Sequence, residues 1–145
     1  MIIRWLKRDI RGSTTVEFAI VGLMLCLLTF GVVETGLLWW LKSGLQVTAA
    51  LTARCGAMGY YYNNSNFQCT NTATTQSYAV SASQPWLLPN MVTASNVTVN
   101  GIVASCNGFT GTFFSVSVNS NYFASLPPPL GSYSNVTATA CFPML

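Results

Sequence analysis

The sequence predicts an α+β protein: a long N-terminal helix that crosses a membrane, then a small disulfide-stabilised antiparallel sheet domain. Three observations carry that expectation. Residues 18–41 read FAIVGLMLCLLTFGVVETGLLWWL, with Glu34 as the single charge. Three later segments alternate apolar and polar residues with a period of two, as half-buried strands do. Four of the five cysteines follow the apolar run, where an oxidising compartment would let them pair.

The N-terminal elements follow from charge and length. At about 1.5 Å per residue, the 18–41 run makes about 36 Å of helix, enough for a hydrocarbon core of about 30 Å with some tilt. Arg4, Lys7, Arg8 and Arg11 precede it, against Lys42 and Arg54 after it. By the positive-inside rule the N-terminus is cytoplasmic and the bulk of the chain lies outside. Trp39 and Trp40, with Lys42 next, suit the far interface, where aromatic rings and a snorkelling amine sit well. The helical pattern continues through an Ala-rich stretch, with Leu45, Ala49 and Thr52 at near-helical spacing, and ends by Gly59. Gly44 is a soft point in it, costing about 1 kcal/mol relative to Ala. The expected organisation is a basic leader over residues 1–12, a helix over 13–57 with its span at about 18–41, and an exported domain over 58–145.

Within that domain, a short helix is expected from Thr75 to Ser83, stopped by Pro85. Strands are expected over Ser95–Val103, Thr112–Asn119 and Tyr133–Cys141. Val97, Val99 and Ile102 form one apolar set, Phe114, Val116 and Val118 a second, and Val136, Ala138 and Ala140 a third. Asn107-Gly108 signals a turn between the first two strands. The loop from Tyr60 to Asn66 and the Pro127-Pro128-Pro129 run are read as connections. The expected packing is sheet on helix.

Cys26 falls within the apolar run and is read as a small unpaired hydrophobe. Cys55, Cys69, Cys106 and Cys141 allow three connectivities, among which sequence does not choose. The pairing we expect is Cys55 with Cys69, stapling the helix end to its loop, and Cys106 with Cys141, pinning the first sheet turn to the last strand.

One stretch stands apart from this generic plan. Arg11-Gly12-Ser13-Thr14-Thr15-Val16-Glu17-Phe18-Ala19-Ile20-Val21 runs from a basic head through a glycine into an apolar segment carrying one acid. A carboxylate at a helix centre in a membrane costs roughly 2.5–3.5 kcal/mol on insertion scales, and less near an interface, so it needs a partner or a task. A glycine after a basic leader, with Glu five residues on and an aromatic next, resembles the processing motif of type IV prepilins and pseudopilins. With the long apolar helix, the Ala53-Arg54-Cys55 at its end and the late strands closing on Cys141-Phe142-Pro143, the chain resembles TadE-like pseudopilins of the tight adherence (Tad/Flp) pilus system. That resemblance implies a prepilin peptidase cutting between Gly12 and Ser13. It implies that Glu17 and Phe18 set the register of one subunit against its neighbours, and that the partners are other pilin or pseudopilin subunits and the Tad machinery. It places the protein in a bacterial inner membrane, single-pass, with its C-terminal domain periplasmic or extracellular.

Other classes fit less well. Beyond Arg54 the chain has no His, Asp, Glu or Lys, so an enzyme there would lack a conventional general base and any carboxylate pair. With no His and no CxxC, neither a metal nor another cofactor is expected. The net charge of +3 lies mostly in the first dozen residues and marks topology rather than a nucleic-acid surface. A cleaved secretory signal is disfavoured because the apolar run exceeds the usual h-region of about 7–15 residues. The alternative function is a signal-anchored adhesin or lectin-like module using aromatics such as Tyr60, Tyr61, Trp86 and Tyr133.

Overall fold

The computed structural model describes residues 11–61, 66, 68–120 and 135–144. The proline run, most of the Tyr60–Asn66 loop and the expected start of the last strand at Tyr133 lie outside the described residues. The described chain forms two compact units, Met1–Leu38 and Trp39–Leu145. Helix α1 (Arg11–Gly56) contributes its residues through Leu38 to the first and those from Trp39 onward to the second.

In the second unit, α1 gives way to one π-helical turn, Ala57–Tyr61, so the helical chain runs two residues past the expected stop at Gly59. Helix α2 (Thr72–Ser83) follows. It starts three residues earlier than expected because Asn71 caps it: the Thr74 N–H donates to Asn71 Oδ1 at 2.9 Å, and the Asn71 N–H donates to Thr74 Oγ1 at 3.0 Å. This is a reciprocal capping box with Thr in the place usually taken by Glu or Gln. After Pro85 the chain turns back through Leu87, Met91 and Val92, all buried, to a 3-10 turn at Ala94–Asn96.

The sheet comprises β1 (Val97–Cys106), β2 (Phe109–Ser120) and β3 (Val136–Pro143), antiparallel in the order β1-β2-β3. All three expected strands are present. The two-residue turn Asn107-Gly108 has φ of 49° and 86°, the pair of left-handed residues that a type I′ hairpin demands. The odd spacing of the first apolar set has a cause. Val99 pairs with Val116 but Gly101 with Ser115, so one extra residue bulges from β1, and Gly101 takes φ +70°. The bulge brings Ile102 opposite Phe114, in phase with Val97 and Val99. Ile102 nevertheless remains 52% exposed at the sheet edge.

Packing joins this sheet to the second part of α1. Leu41, Leu45, Ala49, Ala53 and Ala57, one residue per turn, form a single buried cluster with Val97, Phe114, Val116, Val118, Ala138 and Met144. Small residues let the layers approach closely. A Cβ at Gly56 would run into the ring of Phe114, and one at Gly44 would lie 2.6 Å from Leu87 Cδ2. Gly44 is thus a packing position, and the helix propensity it sacrifices is exchanged for contact with Leu87. Thr48 and Thr52 are fully buried on the same face, and each donates to its own helix, to Gly44 O at 2.9 Å and Thr48 O at 2.7 Å. No buried hydroxyl there needs a partner from the sheet.

Two disulfides close the unit, Cys55–Cys69 and Cys106–Cys141, the pairing expected above. The second joins β1 to β3, which are not neighbours. Their Cα atoms are 6.5 Å apart, whereas two strand spacings in a flat sheet give about 9.5 Å. A second irregularity, between Val103 and Ser105, sits where the hairpin end draws in toward β3.

Candidate functional site

The residues singled out for assembly lie in the first unit, so the site is a helix surface rather than a cleft. Gly12 and Ser13 stand in the first turn of α1. Glu17, one turn above Ser13, and Phe18 beside it are both exposed, Phe18 at 79%. The apolar residues that follow, among them Ile20, Val21, Leu23 and Val33, are exposed on every side of the helix. A helix apolar all round is stable only when something apolar surrounds it. The helical run Thr14–Gly59 is long and apolar enough to cross a membrane.

Polar side chains within this surface divide into two kinds. Thr29 donates to Cys26 O at 2.9 Å and Thr35 to Gly31 O at 3.0 Å, so these hydroxyls are satisfied by the helix itself and can enter hydrocarbon at little cost. Glu17 and Glu34 are the acids of the described segment, and both are exposed. Carboxylates accept hydrogen bonds but, when ionised, cannot bond helix carbonyls, so they call for donors from elsewhere. Cys26 is exposed and unpaired on the same surface.

This combination agrees with the family comparison. Residues 12–54 match the model of TadE-like proteins. The TadE-like segment opens on the glycine of the expected processing site and closes on the arginine before Cys55, taking in the apolar surface and nearly all of α1 while leaving the sheet outside. No curated protein and no solved structure matches the chain.

The TadE-like segment and the sheet differ in chemical character. The sheet carries neutral hydrogen-bonding groups: Ser117 and Thr139 hydroxyls lie 2.9 Å apart across β2 and β3, and Asn100 Nδ2 donates to Ser117 Oγ and to Oγ of the buried Ser115 at 3.4 Å. Among the described residues, no group of three or more His, Cys, Asp or Glu side chains comes together that could hold a metal ion.

Proposed function

We propose that the protein is a non-enzymatic, pilin-like component of a Tad pilus system, either a minor pseudopilin or an assembly subunit. It sits in the inner membrane with its N-terminus cytoplasmic, is matured by a prepilin peptidase after Gly12, and acts through the surface of α1. The observation that carries this reading is the TadE-like match that begins at Gly12 and takes in the exposed apolar stretch of α1. The arrangement has a physical logic. Cleavage would free the Ser13 α-amino group, largely protonated near neutral pH given its usual pKa of about 7.7–8.0. Ser13 lies one helical turn from Glu17, so a second copy displaced by about 6 Å along the axis presents its amine at the height of Glu17. A misaligned copy leaves a carboxylate unpaired in hydrocarbon, so the pair selects the stagger while apolar packing supplies cohesion.

The test is the N-terminal residue of the membrane-extracted protein, by intact mass and peptide sequencing, in hosts with and without the prepilin peptidase. A peptidase-dependent start at Ser13 is the expected result. A start at Met1 in both hosts would replace this reading with a signal-anchored binding module.

A further inference from the structure

We infer that a cleft beside the first disulfide is a docking slot for a carboxylate side chain presented by a different exported protein. The inference rests on the reading above only in placing the Trp39–Leu145 unit outside the membrane.

The cleft holds about 390 Å³ and is lined by Leu51, Arg54, Cys55, Asn66, Gln68 and Tyr78. Its walls come from three segments of the chain. Arg54 and Leu51 stand one turn apart on α1 and are both exposed. Gln68 is tethered through its neighbour Cys69 to Cys55, the two Cα atoms 5.6 Å apart. Tyr78 belongs to α2, whose start is locked by the Asn71–Thr74 box.

The electrostatics single out the ligand. The Trp39–Leu145 unit contains Lys42 and Arg54 as its charged side chains and no Asp or Glu. The guanidinium of Arg54 therefore has no carboxylate side chain within its own unit. A planar fork of donors matches a carboxylate bidentately, and the neutral residues Asn66, Gln68 and Tyr78 that line the cleft with it bring no charge that competes. Leu51 and the disulfide supply an apolar side, which lowers the local dielectric and strengthens a charged hydrogen bond.

The source of the carboxylate follows from where this chain keeps its own acids. Asp9, Glu17 and Glu34 all precede Trp39, in the leader and the apolar segment. A second copy offers no acidic side chain from its exported unit, so the acid comes from another protein. A lipid phosphate is out of reach, since Arg54 lies 13 residues beyond Leu41, or about 20 Å along the helix.

The experiment titrates the full chain, in detergent micelles and with nitrogen-15 side-chain labels, with acetyl-Gly-Glu-Gly-amide, its Gln counterpart and inorganic phosphate. The Glu peptide should shift the Arg54 Nε–H and Gln68 amide signals saturably, with at least about tenfold higher affinity than the Gln peptide, as a charge-assisted pair requires. Arg54→Gln, an exposed change, should abolish the shifts while leaving the sheet signals in place. Equal response to both peptides, or no response, would overturn the inference. Tighter binding of phosphate than of the Glu peptide would also overturn it, as the mark of a free-anion site. The titration requires neither pili nor cleavage at Gly12, so it fails independently of the function proposed above.

Discussion

Replacing Gly56 with alanine adds one methyl group to the chain at the point where helix and sheet come closest. The new Cβ would overlap Phe114 Cε1 and lie 2.8 Å from its Cζ and 3.0 Å from its Cδ1. Phe114 has no exposed surface and faces Phe142 and Ile102 across the ladder, so the ring has no open space to swing into. Overpacking of this kind costs about 1–3 kcal/mol, against a helix-propensity gain of at most about 1 kcal/mol at the end of α1. A net loss of about 1–2 kcal/mol follows, which for a unit of about 100 residues lowers Tm by about 4–10 °C. Thermal unfolding of the full chain in detergent, followed by near-ultraviolet circular dichroism, reads that shift. Phe114→Leu removes the ring edge, so the double variant should be more stable than the sum of the single losses by about 1 kcal/mol. A Tm that rises in Gly56→Ala, or strict additivity in the double variant, would refute the close approach. Gly22→Ala is the control, because a Cβ there meets nothing within 4 Å.

Two further outcomes are expected. In the chain-entropy description, opening Cys106–Cys141, which closes 35 residues, costs about 3.8 kcal/mol, and opening Cys55–Cys69, which closes 14, costs about 3 kcal/mol. Paired Cys→Ser variants compared by denaturant unfolding check the order, and a larger loss at Cys55–Cys69 would contradict it. Glu17→Ala should leave membrane insertion intact and reduce pilus assembly, and piliation at the level of the unaltered protein would remove the register role from Glu17.

The strands were legible because alternation is a local property: Val97-x-Val99, Phe114-x-Val116-x-Val118 and Val136-x-Ala138-x-Ala140 each declare a face within a few residues. The Asn107-Gly108 turn was legible for the same reason. The bulge at Gly101 showed only as a broken alternation before Ile102, since extra length in one strand acquires meaning only from the register of its partner. The early start of α2 was hidden because Asn71 and Thr74 form an unusual version of the box. The burial of Leu87, Met91 and Val92 was hidden because that stretch has no period and is placed by the layers around it. The helix motif around Gly12 and Glu17 reads directly from consecutive residues. The Arg54 cleft does not, because its lining comes from three segments that only the Cys55–Cys69 bond and the packing of α2 bring together.

The buried face of α1 beneath the sheet settles its own hydrogen bonds, with Thr48 and Thr52 turned back onto carbonyls of the preceding turn. What the sheet must provide in return is shape alone: an apolar relief that drops Phe114 over Gly56 and adds Val116 and Val118 to the same buried cluster. Shape can be met by many sequences, whereas a matched donor and acceptor would tie specific positions on both sides. A helix of this design acts as a standard socket. It can keep its own spacing while accepting caps of quite different surface chemistry, and swapping in a foreign three-stranded cap of equal relief should leave the helix in place.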